Sequence, residues 1–168
     1  MAASWTAPTT AAEILAQAQN SGITPNTATA AGLVSRQFQG PFSLWCGDGL
    51  FLGYNFVLTP QQDAWKAVFG YYAPFNGYWI YEANRNVAWQ AINTTGNLDY
   101  WNANGAAQGN PQDWELFLFI DAGNGVVQIK NIYDSSPPNQ HPSNFIQYSG
   151  TGLSAGASQA NGAFFVVV

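Results

Sequence analysis

The sequence predicts an all-β fold made of one unit written three times, preceded by a short helical arm. Two observations carry this reading. An aliphatic residue, a spacer and a tyrosine recur as Leu52-Gly53-Tyr54, Leu98-Asp99-Tyr100 and Ile146-Gln147-Tyr148, with the tyrosines 46 and 48 residues apart. From Pro41 onward, short β-prone runs alternate with Gly, Asn, Asp and Pro, as strands joined by tight turns should read. Regular self-similarity constrains architecture before any single residue does, so residues 41–168 divide into three units of about 43 residues each. A tryptophan follows the first two tyrosines, Trp65 and Trp114, whereas Gly162 holds that place in the third unit.

Residues 1–40 are rich in Ala, Thr and Ser and hold one expected helix, Thr10 to Gln19. Thr10 and Glu13 have capping-box spacing, and Gly22 stands where a C-terminal stop belongs. The apolar face, Ile14, Leu15 and Ala18, is narrow, so the helix is expected to lie against the domain as an arm without a function of its own. Unit one then reads as Phe42 to Cys46, a turn at Gly47-Asp48-Gly49, Leu50 to Tyr54, and Trp65 to Phe69. Unit two reads as Val87 to Ile92, Leu98 to Trp101 and Trp114 to Ile120; unit three as Val126 to Lys130, Phe145 to Tyr148 and Ala163 to Val167. Asp121-Ala122-Gly123-Asn124-Gly125 is a hairpin signal. Tyr78-Trp79-Ile80-Tyr81 reads as an added strand or a projecting loop, and the proline-rich stretch Ser135 to Pro142 as an insertion, both expected at the surface.

At 168 residues and 47% hydrophobic content, the chain can bury one ordinary core. Charged residues make up only 8%, with four Lys and Arg and a net charge of -5. Nucleic acid and anionic lipid need basic clusters, so neither is an expected partner; a neutral, hydroxyl-rich ligand suits an amide-rich surface better. Cys46 is the single cysteine, which excludes a disulfide scaffold. No apolar run approaches a membrane span, and residues 1–8 lack the marks of a signal peptide, so a cytoplasmic location or non-classical secretion is expected. Asn93-Thr94-Thr95 is expected to be an ordinary turn.

The segment Phe42-Ser43-Leu44-Trp45-Cys46-Gly47-Asp48-Gly49-Leu50-Phe51-Leu52 resembles the opening of a repeat in β-trefoil domains of the fascin-like kind. Tyr148 to Ala157 and Ala163-Phe164-Phe165-Val166 are similar to such a repeat's close. The resemblance spans about three quarters of the chain. It implies a β-trefoil, a six-stranded barrel capped by three hairpins about a pseudo-threefold axis, over residues 41–168. Fascins bundle actin with several trefoils and basic surfaces, features that one acidic trefoil lacks. Ricin-type trefoil lectins close each repeat on Gln-x-Trp; with Ala64 and Asp113 before Trp65 and Trp114 that pattern is not expected here, and their sugar sites are not carried over.

Strand alternation sorts the candidate residues. If Leu52, Leu98 and Ile146 point inward, so do Tyr54, Tyr100 and Tyr148, while Gly53, Asp99 and Gln147 point outward with Asn55, Trp101 and Ser149. Unit two alone then sets a carboxylate beside an exposed indole. Asp99 and Trp101, followed by Asn102 and Asn104, suit a sugar: the indole stacks on the apolar face of a pyranose while carboxylate and amides take its hydroxyls. The competing reading buries Trp101 under the next hairpin and makes Asp99 a turn cap. Trp79 and Tyr81, near Glu82 and Asn84, form the second candidate, against a hydrophobic lid.

His141, the only histidine, sits in the proline-rich loop without a second imidazole or thiol nearby, so no metal site is expected. Cys46 is expected to pack inside, away from it. Asp63 and Asp113 stand at similar places before Trp65 and Trp114 and read as a repeated turn device, not a catalytic carboxylate pair. No phosphate loop, zinc helix or nucleophile elbow occurs, and neither an enzyme nor a cofactor is expected. The expected function is a non-catalytic carbohydrate-binding protein, a lectin of glycans or glycoproteins, in which a homo-oligomer would add avidity. The alternative is a protein-interaction trefoil, such as a protease inhibitor, a toxin or defence component or an actin-associated module, carrying recognition on residues 74–84 or 135–142.

Overall fold

Local sequence explains the N-terminal segment. Helix α1, Ala11–Asn20, starts at Thr10, whose hydroxyl accepts from the Glu13 N–H at 3.0 Å. The Glu13 carboxylate accepts from the backbone N–H and the hydroxyl of Thr9, so the return half of the capping box closes one residue earlier than its spacing implies. Gly22, at φ +70°, lets the chain turn away. Helix α2, Thr27–Val34, is an addition to the expected single helix; Asn26 caps it by accepting from the Thr29 N–H at 3.0 Å. Its Thr-Ala-Thr-Ala-Ala-Gly sequence has little intrinsic helix preference, and burial of Ala30 and Leu33 compensates.

The computed structural model describes residues 6–38, 40–62, 65, 67–82, 87–92, 97–102, 115–132, 145–150 and 152–168. Beyond the helices these residues are mostly strand. The strands are β1 (Leu44–Gly47), β2 (Leu50–Leu52), β3 (Leu58–Thr59), β4 (Ala67–Tyr72), β5 (Gly77–Glu82) and β6 (Val87–Ile92). They continue with β7 (Asn97–Asn102), β8 (Phe117–Gly123), β9 (Val126–Asn131), β10 (Phe145–Ser149), β11 (Gly152–Ala157) and β12 (Phe165–Val167). All pairings are antiparallel, and one scheme recurs. β1, β2 and β3 pair in sequence, as do β5, β6 and β7, and β9, β10 and β11. Each group joins its neighbour through β4 with β5, β8 with β9 and β12 with β1. β5 also pairs β8, and β9 pairs β12; the matching pair of β1 with β4 is not made among the described residues, and the sheet is open there.

Three expectations change. The second group begins at Gly77: of the two readings of Tyr78-Trp79-Ile80-Tyr81 the strand holds and the projecting loop does not, for β5 pairs with β4, β6 and β8. Its inward residues Tyr78, Ile80 and Glu82 are fully buried, so Gly77–Glu82, within the stretch 74–84, is a strand with one side in the core. The tyrosine motif also occupies unlike places: Leu52 and Ile146 lie in second strands of their groups, whereas Leu98-Asp99-Tyr100 lies in the third, β7. Finally, alternation stops at Leu52, because the chain enters a 3-10 turn at Tyr54–Phe56, and Gly53 is buried. Asn55 is exposed, as alternation predicts, at φ +60°.

Burial is two-sided where the arm docks. Leu44 and Cys46 of β1 face the main core with Leu33, Tyr78, Phe119 and Val127. Trp45 faces the other way, packing with Ile14 and Ala18 of α1 and with Phe51, Val126 and Val166. In the main core, Glu82 Oε1 accepts from the indole N–H groups of Trp65 (3.3 Å) and Trp89 (3.0 Å). Those indoles lie 5.7 Å apart, centroid to centroid, with Phe42 edge-on to Trp65 and Phe56 and Phe117 edge-on to Trp89.

Tyr54 and Tyr148 pack against this core as expected. The Tyr148 hydroxyl donates to the Phe164 carbonyl at 2.5 Å, with the Cys46 carbonyl 3.3 Å away. Burial pushes the Tyr148 phenol well above its ordinary range. Burial likewise raises Tyr78 from 10.0 to about 12, outweighing the Phe38 backbone and the Arg36 guanidinium, which favour the phenolate. A phenol whose folded pKa is raised stabilises the fold fully below its unfolded pKa and loses that contribution as pH rises through the folded value. Stability should therefore hold to about pH 10 and fall as pH rises from there through the folded value of about 12. Urea denaturation across that range tests this, with Tyr78→Phe flattening the decline.

Candidate site on the outer aromatic face

Alternation along β5 fixes the site. With Tyr78, Ile80 and Glu82 inward, Trp79 and Tyr81 share the opposite face, and both are half-buried. Their ring centroids are 6.3 Å apart and their planes meet at 82°, forming a corner with one aromatic floor and one aromatic wall. Gly70 stands directly across from Trp79 in register. A Cβ at residue 70 would fall 1.8 Å from Cζ2 and 1.9 Å from Cε2 of the indole, so the ring lies against bare β4 backbone. Only a residue without a side chain permits that approach.

Register sets the two expected candidates on β5 and β7, which share β6 as a neighbour. Tyr81 pairs with Ala88, and Ala88 pairs with Trp101; Gln90, two residues on, pairs with Asp99. Directly paired residues share a side of the pleat, so positions 79, 81, 88, 90, 99 and 101 belong to one face. Asn102 pairs with Val87, which pairs with Glu82. Asn104 and Asn84 lie outside the described residues, as do Asp63, Asp113, His141 and the 135–142 segment. The triplet Gln112-Asp113-Trp114, which does have Gln-x-Trp spacing, lies there too. Sequence reasoning missed Gly70 and Gln90; the signal for Gly70 was a glycine inside a β-prone run.

This face is aromatic and polar in residue type. Its described side chains, Trp79, Tyr81, Ala88 and Gln90, carry no charge, and residue 99 adds a carboxylate by type. Cys46 is buried as expected, its thiol within 3.7 Å of the Leu44 carbonyl and pushed far up in pKa by desolvation, against the Tyr148 hydrogen bond. A thiol held protonated there is a poor nucleophile. Among the described residues no group of three or more His, Cys, Asp and Glu is placed to hold a metal ion, and no helix is long and apolar enough to cross a membrane. No protein-family model matches the chain, and no curated protein matches it.

Gly70→Ala should force the Trp79 ring off β4, destabilise the fold by about 1 to 3 kcal/mol and raise iodide quenching of that indole. Unchanged quenching in a variant keeping Trp79 as its reporter would contradict the contact.

Proposed function

We propose that residues 41–168 form a β-trefoil and that its outer face around Trp79 and Tyr81 binds neutral glycans without catalysis, as a lectin. Support for the trefoil lies in the strand pairing that recurs three times, with cross-links at β4–β5, β8–β9 and β12–β1. A single observation carries the site: two half-buried rings at 82°, on the same sheet face as positions 99 and 101. One ring offers its face to the C–H side of a pyranose, the other its edge, and Gln90 and Asp99 offer amide and carboxylate to the hydroxyls. Backing by Gly70 fixes the floor before ligand arrives and reduces the ordering cost of binding.

The partners on this reading are glycans or glycoproteins. Four Lys and Arg in the whole chain argue against nucleic acid. One shallow face binds weakly, so a homo-oligomer would raise avidity. The compartment proposed is the cytoplasm or the outside of the cell by a non-classical route.

A glycan array followed by calorimetry tests the reading. Trp79→Ala, Trp101→Ala and Asp99→Ala should each cost roughly tenfold or more in affinity with the far-ultraviolet circular dichroism unchanged. No binding to any glycan, or full affinity in all three variants, would contradict it.

A further inference from the structure

The aromatic face runs on past the corner of Trp79 and Tyr81. β4 and β5 pair without a bulge from Ala67↔Glu82 to Tyr72↔Gly77, and Tyr72 is still extended at φ -111° and ψ 102°. Alternation therefore puts Tyr72 on the outer side with Gly70, two residues earlier, and it is half-buried like Trp79 and Tyr81. Because the Trp79 indole lies across Gly70, register sets Tyr81, that indole and Tyr72 at successive levels, a row of about 13 Å along the strands. At the far end Gly77 faces Tyr72, and a Cβ there would stand 3.1 Å from Leu116 and from Ile132, which bound the row.

The strand pairing itself does not demand such a row. The pair Phe69↔Ile80 corresponds to Phe119↔Ile129 in β8 and β9 and to Val167↔Leu44 in β12 and β1, with Ile80, Ile129 and Leu44 all in the core. One residue before each, the outward counterparts of Trp79 are Gln128, opposite Ile120, and Ser43, opposite Val168. Neither carries a ring: Gln128 Nε2 donates to the Gln159 carbonyl and Ser43 Oγ to the Gln62 carbonyl, each at 2.9 Å. Those positions brace backbone, whereas the second group places rings there. A single pyranose covers one level of the row, so the full row fits a longer occupant. Resting on the lectin reading above, we propose that this face takes a linear neutral oligosaccharide of three or more rings, not a lone terminal sugar. Trp79 stacks on the central ring, Tyr81 meets one neighbour and Tyr72 the other, and the Gln90 amide on β6 bonds hydroxyls. Rings already held on paired strands lose little freedom when ligand arrives, so each added sugar contributes to affinity.

The test is calorimetric titration of the full chain with D-glucose, D-mannose and N-acetyl-D-glucosamine and with cellotriose, mannotriose and chitotriose, deca-L-proline being a separate arm. At least one trimer should bind tenfold or more tighter than its monosaccharide. Tyr72→Ala should remove that gain and leave monosaccharide affinity unchanged, while Tyr72→Phe keeps the gain, since the ring and not the hydroxyl does the stacking. In the unmutated chain the same trimer should shift the Tyr72 ring resonances saturably, which reads the contact even where Tyr72→Ala fails to fold. No binding by any trimer, equal affinity for trimer and monosaccharide, Tyr72 resonances unmoved by the trimer, full trimer affinity in Tyr72→Ala, or binding of deca-L-proline alone would each overturn the proposal. Trp79→Ala separates the two readings. Monosaccharide binding that needs Trp79 but gains nothing from chain length removes the row and leaves the corner standing, whereas no sugar bound at all removes both.

Discussion

The structure depends on one shared acceptor. Glu82, completely buried, holds the indole N–H groups of Trp65 and Trp89 on a single carboxyl oxygen. Each indole is among the largest fully buried side chains of the described chain, where losing a hydrogen-bond partner costs about 1–3 kcal/mol. Such a polar group in an aromatic core is tolerated only when its partners are fixed, so it specifies geometry beyond what hydrophobic burial requires. The three residues come from the approach to β4, from β5 and from β6, and they tie the first group of strands to the second.

That constraint determines what faces out. A strand has two sides, and once Glu82 is committed inward, Ile80 and Tyr78 follow while Tyr81 and Trp79 turn away. A slip of one residue would bury Tyr81 in the clamp and expose a carboxyl group in its place. The outer corner of two rings is the other half of the same alternation, and Gly70 then decides how closely the Trp79 ring lies on its neighbour strand. The arm contributes differently: α2 adds Leu33 to the inner core, while α1 covers the outer side of β1 and β12 and leaves a polar cleft at its end.

Much of this was legible in the residues, and the failures have physical causes. Strand-rich character, the α1 cap and the burial of Cys46 follow from local chemistry that tertiary contacts left alone. The boundary of the second group did not follow. Tyr78-Trp79-Ile80-Tyr81 is apolar at every position, and a continuous run does not separate a two-sided strand from an exposed aromatic loop. α2 escaped notice because its stability comes from the residues it is buried among, not from its own sequence. Of the expected site, Trp79 and Tyr81 lie on β5 and positions 99 and 101 on β7, and pairing register, a long-range property, aligns both strands through β6.

Hydrogen exchange at the tryptophan indoles measures the inside and outside assignment directly. The account predicts slow exchange at Trp65 and Trp89, joint movement of both N–H resonances in Glu82→Gln, and fast exchange at Trp79. Protection of Trp79 equal to that of Trp89, or indole resonances indifferent to the change at Glu82, would contradict it.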